Sequence, residues 1–293
     1  MIDSMKRFLT YIFIIIITTI VISSCSDLQT NIPQKSTDLK IHEEGIAAVG
    51  SPNFHGNLIK ENNWSFDLCI QCHSSDFKGG ITGTSCLTCH TNTGGPQACN
   101  TCHGDFNNPN LISPPRGING DTLTTSKSVG AHINHLFGKS LTENIKCENC
   151  HNVPQTYNAE GHIDSDLPAE LNFKGLAVST VATNASYDHT TGSCSNTYCH
   201  GNFEFTKANA NPDNQYIYAE DKIVGANKTV DWTLVDGTQV ECGSCHGLPP
   251  KGHLGFGVLP ISSCVVCHSS VVNKAGEIID KTKHINGVVD LGI

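Results

Sequence analysis

Fourteen of the fifteen cysteines fall into seven pairs, and every pair is followed directly by a histidine. The sets are Cys69/Cys72/His73, Cys86/Cys89/His90, Cys99/Cys102/His103, Cys147/Cys150/His151, Cys194/Cys199/His200, Cys242/Cys245/His246 and Cys264/Cys267/His268. Six of them read Cys-x-x-Cys-His, and three of these lie within the 35 residues from Cys69 to His103. A disulfide framework would not place a histidine after each second cysteine, and zinc knuckles would not need one at seven equivalent places. The pattern is that of covalent haem attachment. The two thiols add to the two vinyl groups of one haem, and the histidine becomes the proximal iron ligand.

The set at CSNTYCH has four residues between its cysteines instead of two. The vinyl groups lie at a fixed separation, so the extra residues must bulge out between the thioethers. A seventh haem is the expectation there, with a local disulfide or free thiols as the other readings.

The fifteenth cysteine, Cys25, closes a different pattern. Lys6 and Arg7 precede an apolar run from Phe8 to Ile22, after which Ser23 and Ser24 lead into Cys25. The run is 15 residues long, against about 20 for a spanning helix, and reads as an export signal. Ile22-Ser23-Ser24-Cys25 resembles a lipobox, with Ile in place of the usual Leu, so Cys25 is the expected lipid anchor. An uncleaved signal anchor is the other reading; both put the chain outside the cytoplasm and tied to a membrane.

Loss of residues 1–24 turns 18 basic and 27 acidic side chains into 16 and 26, a formal balance of −10. Haem propionates would push it further negative. Nucleic acid is disfavoured as a partner, because phosphate binding needs a positive surface. Charged residues are 15 % and aromatic residues 6 % of the chain, against about 25 % charged in a typical domain. Such a chain has little material for an ordinary core, and porphyrins can supply the missing apolar area. The fold class expected is therefore a multihaem cytochrome c, mostly coil, with short helices around the haem motifs, a few small strands and a core built on stacked haems.

Residues 1–24 read as the signal and 25–41 as a polar tether. Residues 42–115 form a three-haem module, 116–185 a one-haem module and 186–293 a second three-haem module. In the first, 12 residues separate His73 from Cys86 and eight separate His90 from Cys99, so each motif holds one short helical turn between glycine breaks. In the middle module, His132 and His135 would share one face of a short helix, and ELNFKGLAVST alternates weakly as a strand would. In the last, Asp236-Gly237 between two alternating arms suggests a hairpin.

The sixth iron ligand separates a carrier from an enzyme, since a protein ligand closes the site and an open position binds substrate. Methionine is excluded beyond the signal, because the only two are Met1 and Met5. The distal candidates are the eight histidines outside the motifs, His42, His55, His132, His135, His162, His189, His253 and His284, for seven irons. No further histidine lies between Cys69 and His103, so those haems need ligands from elsewhere: His55, His42 and a histidine of the middle module. Histidine on both faces gives low-potential haems, since Met/His ligation is the pairing that raises potential.

SCSNTYCHGNF, CGSCHGLPPKGH and SCVVCH in the C-terminal part resemble the CxxxxCH…CxxCH family of multihaem c-type cytochromes of dissimilatory metal-reducing bacteria. PNFHG, GAHINHL and CENCHNVPQTYNAEGH extend the resemblance over residues 42–293. Many relatives are outer-membrane lipoproteins, some working with porin-like barrels. The resemblance implies that His200, His246 and His268 are proximal ligands of a recurring unit. It also implies extracellular electron transfer, with other cytochromes and a porin-like barrel as partners.

The expected function is thus a non-enzymatic electron conduit with seven covalent haems, in an exported outer-membrane lipoprotein facing the periplasm or the cell surface. A multihaem reductase with one substrate-binding haem is the competing class, and Cys194 to His200 its least typical site. A polymerising cytochrome filament is a third reading, opposed by the lipid anchor.

Overall fold

The computed structural model describes residues 41–293, except 113–115, 139, 165–167, 256–258 and 293, together with helical positions 10, 12 and 15–17. Cys25, the lipobox and the tether up to residue 40 lie outside the described residues, as does most of the signal. Among the described residues no helix is long and apolar enough to cross a membrane. The chain divides into two units, Met1–Glu61 and Asn62–Ile293.

In the first unit, turns from residue 41 lead into α1, His55–Glu61. The His55 amide donates to Ile46 O (2.8 Å) and Asn53 Nδ2 to Glu44 O (3.0 Å), which closes the turn ahead of the helix.

The second unit is mostly coil, with helices of one or two turns. They are α2 (Asp67–His73), α3 (Cys99–Cys102), α4 (His132–Phe137) and α5 (Val265–His268). Single 3-10 turns run over Cys86–Thr88, Cys147–Asn149 and Tyr198–His200. Six of the seven motifs thus carry a helical turn, and Cys242 to His246 is turn and bend. The elements stay short because glycines interrupt them. Gly80 (φ +48°) shows why one is required, since a Cβ there would lie 2.8 Å from the Ser74 amide nitrogen, and the chain must press back onto the end of α2.

Five strands of two or three residues form two small antiparallel sheets. β1 (Ser186–Asp188), β2 (Ser193–Ser195) and β5 (Val230–Asp231) make one sheet in the order β1-β2-β5; β3 (Glu204–Thr206) pairs with β4 (Lys222–Val224). The register sets Cys194 opposite Tyr187 on one side and Val230 on the other. Beside β3 and β4, the buried Ile217, Tyr218 and Ile223 pack with Phe203, Phe205 and Ala210. No large side chain is fully buried among the described residues.

Two sequence expectations are corrected. The arms around Asp236-Gly237 do not pair with each other: β5 pairs with β2, and the residues after Gly237 form a 3-10 turn, Thr238–Val240. Gln239 reaches back instead, accepting from the Asp231 amide (2.7 Å) and donating to Asp231 O and Leu234 O (2.8 and 2.9 Å). The expected strand in ELNFKGLAVST is a 3-10 helix at Gly175–Val178, because Asn149 Oδ1 accepts from the Leu176 amide (2.9 Å) and draws that segment onto the fourth motif.

Candidate functional site

The short turns bring motif histidines opposite histidines from outside the motifs. His103 faces His162 with ring centroids 6.1 Å apart and planes at 33°. His151 faces His132 at 6.3 Å and 20°. His200 faces His135 at 6.1 Å and 61°. His268 faces His253 at 6.5 Å and 44°. His284 lies near enough to His246 for that ring to add to the lowering of its pKa, which burial dominates.

These separations fit an iron between the rings. Two metal–imidazole nitrogen bonds of about 2 Å each, with the half-width of a ring at either end, put coaxial centroids about 6.3 Å apart. Trp232 and His132, packed edge to face, lie closer, at 4.7 Å.

Tautomer and charge agree with that fit. Nδ1 of His132 donates to Val129 O (2.8 Å), of His135 to Ala131 O (2.9 Å), of His162 to Tyr157 O (2.6 Å), of His253 to Leu254 O (2.6 Å) and of His284 to Leu141 O (2.7 Å). On the motif side, Nδ1 of His73, His246 and His268 donates to Thr84 O (3.0 Å), Gly247 O (2.9 Å) and Asp290 O (2.8 Å). A carbonyl accepts only from N–H, so the proton is on Nδ1 and the Nε2 lone pair is left to bind metal, the usual arrangement of a ligating imidazole. Burial pushes His132 and His200 down to about 4, and lowers His103 and His151 as well. A neutral ring is the form that ligates. His200 departs in one respect: its buried Nδ1 has no hydrogen-bond partner among the described residues.

The fourteen motif cysteines form no disulfide among the described residues and range from half-buried to exposed. Burial raises Cys150 to about 11 and Cys194 to about 12. Cys150 adds to the shifts of Cys194 and Cys199, and Cys86 to that of Cys69, so thiols of neighbouring motifs lie close together.

Among the second cysteines of the motifs, Cys89 is exposed, and Cys72 and Cys267 are half-buried. Each is held by the helical turn of its own motif. Cys72 lies in α2, the Cys89 amide donates to Cys86 O (3.2 Å) and the Cys267 amide to Cys264 O (3.3 Å). Their part as anchors rests on motif spacing.

Beside His90 opens a cavity of about 410 Å³ lined by Asp76, Phe77, Leu87 and Asn92. Among the described residues no cluster of three or more His, Cys, Asp or Glu side chains could hold a bare metal ion. Two thiols and a histidine in each motif, with a second histidine facing His103, His151, His200, His246 and His268, are a donor set that suits iron carried in a macrocycle.

The distal candidates divide. His132 and His135, on one face of α4, reach the fourth and fifth motifs. His162 reaches back to the third; His253 and His284 lie against the seventh and sixth. His253 is placed by its bridge to Tyr218, beside the apolar cluster. His42 and His55 lie in the first unit, where His55 Nδ1 donates to Ile46 O (2.9 Å). His189 is exposed beyond β1, its ring edge-on to Tyr187 at 5.0 Å, and its described ring contacts include no motif histidine. Sequence reasoning overlooked Trp232, which touches both His132 and His135. Its one signal was rarity, as one of two tryptophans in the chain.

No curated protein and no solved structure matches the chain. Residues 193–246, from the start of β2 to the sixth motif histidine, match the family model described as the Geobacter CxxxxCH...CXXCH motif, which identifies this segment as the family's long-linker site followed by its short one and marks both for c-type haem.

Proposed function

We propose that the chain is a seven-haem c-type cytochrome acting as an electron conduit, with the haems stacked in place of a conventional core. The supporting observation is the set of facing imidazoles at His103, His151, His200, His246 and His268: with a protein histidine on each side, an iron at these five motifs has no position for substrate. Bound haem supplies a one-electron ferric/ferrous couple. The chain's residues do the rest. The cysteines fix each macrocycle at its edge, the histidine pairs hold the iron low-spin, and the carbonyls on Nδ1 hold the rings and raise their basicity. Histidine on both faces keeps the potentials low, suited to electrons passing outward from a periplasmic donor. The chain is exported and anchored through Cys25 to the outer membrane, where it exchanges electrons with other cytochromes and serves metal or other extracellular acceptors. A porin-like barrel is the further partner in this reading.

Purified holoprotein is expected to contain seven haems per chain by pyridine haemochrome and mass, and to give a wholly low-spin spectrum in both oxidation states. Replacement of His162 by alanine should open one site, giving one high-spin haem per chain that binds carbon monoxide when reduced. Carbon monoxide binding by the unaltered protein would overturn the conduit reading in favour of a reductase. A tryptic peptide with Cys194 and Cys199 unmodified would remove the seventh haem.

A further inference from the structure

Trp232 is not a part of the attachment pattern, yet three elements converge on it. It follows β5 directly, so the β2–β5 pairing ties it to the start of the fifth motif, and its amide donates to Gly192 O (2.8 Å). Its indole Nε1–H donates to Lys127 O (2.9 Å). The ring meets His132 edge-on at 4.7 Å and 89°, and His135 at 5.4 Å and 34°. Gly130 (φ +44°), two residues before His132, makes room for it, since a Cβ there would overlap the indole. The apolar cluster around Ile217 lies elsewhere in the sequence and does not include Trp232.

His132 and His135 face histidines of different motifs, His151 and His200. One indole therefore touches the second ligand of two separate sites. Each imidazole is held by a single hydrogen bond, at Nδ1, and so from one side only. The indole braces both rings at once from a second direction and limits the tilt that one bond leaves open. We infer that Trp232 is a positioning residue that sets the imidazole planes of His132 and His135, and so the electronic structure of two haem sites together.

The plane of an axial imidazole decides which iron d orbital receives its π electrons. The angle between the two planes at one iron decides how nearly degenerate those orbitals are. At 20° the His132/His151 site should be a rhombic low-spin centre, and at 61° the His135/His200 site a more strongly anisotropic one. The inference rests on the haem reading above, and the test separates the two.

The experiment is electron paramagnetic resonance of the fully oxidised, full-length holoprotein, with W232F and W232L compared at equal haem content. W232F keeps an aromatic ring but loses the bond to Lys127 O; W232L removes the ring. Both should shift the largest g value of two low-spin signals, more in W232L, and leave the remaining signals in place and the absorption spectrum low-spin. If W232L fails to load haem, W232F carries the test. Unchanged signals, or changes spread over all haems, overturn the role of Trp232. Wild-type protein lacking low-spin bis-histidine signals would instead overturn the haem reading itself.

Discussion

The stretch from Asp67 to His103 and the stretch from Ser193 to His268 each carry three motifs, yet they are built in different ways. In the first, the backbone bonds are short turns, and the buried apolar side chains in or beside it are Phe66, Phe77 and Ala98, with Phe66 and Phe77 edge to face at 5.5 Å. In the second, wider spacing leaves room for two β-ladders and for a cluster of Ile217, Tyr218 and Ile223. Spacing between motifs thus decides how much interior the polypeptide itself can provide. A dozen residues between attachment points suffice for a turn; some forty suffice for a small sheet.

The largest expected effect follows from that contrast. In a chain exported without haem attachment, amides across Asp67 to His103 should exchange at the rate of an unfolded chain, while those of Phe205, Ile223 and Val224 keep measurable protection in hydrogen-exchange mass spectrometry. Equal loss in both stretches would break the comparison. A smaller effect sharpens it from the other side. Ile223→Ala leaves a cavity in the cluster and should cost about 2 kcal/mol in denaturant unfolding, at the low end for such truncations because the cluster is small. The absorption spectrum should not change. A spectral change at unaltered haem content would mean that the cluster positions ligands, through the Tyr218 bridge to His253, more than it supplies stability. The smallest effect concerns the seam between the long motif and the end of the chain. Tyr198 Oη accepts from the Gly287 amide (2.9 Å), and Tyr198→Phe should lose about 1 kcal/mol, seen as faster exchange of the amides from 284 to 290.

Much of this was legible in the sequence because covalent chemistry writes itself in residue identity. The motif turns follow from two cysteines and a histidine having to serve one macrocycle, and the helix of His132 and His135 from their three-residue spacing. The miscast strand and hairpin fail for one physical reason. In a coil-rich chain, a single side chain can redirect a segment that has weak local preference. Asn149 does so for Leu176, and Gln239 for the loop after Asp231. Which histidine meets which motif was hidden because the pairing is long-range: His162 reaches back over the fourth motif and His284 over the seventh. Trp232 was hidden because its role depends on a glycine and a carbonyl far earlier in the chain, at Gly130 and Lys127.

The crossing of these partners has a topological consequence. If one iron joins each facing pair, His103 to His162, His135 to His200 and His246 to His284 become closed circuits of the chain. The second opens before the first has closed, and the circuit from His253 to His268 lies inside the third. A cross-link spanning about 60 residues removes about 4 kcal/mol of disorder from the unfolded chain in the loop-entropy account. The first two circuits interlock, so neither can be peeled from one end, and a polypeptide with almost no interior of its own would be held there as a knotless mesh, in which releasing one link leaves one of its ends enclosed by the other.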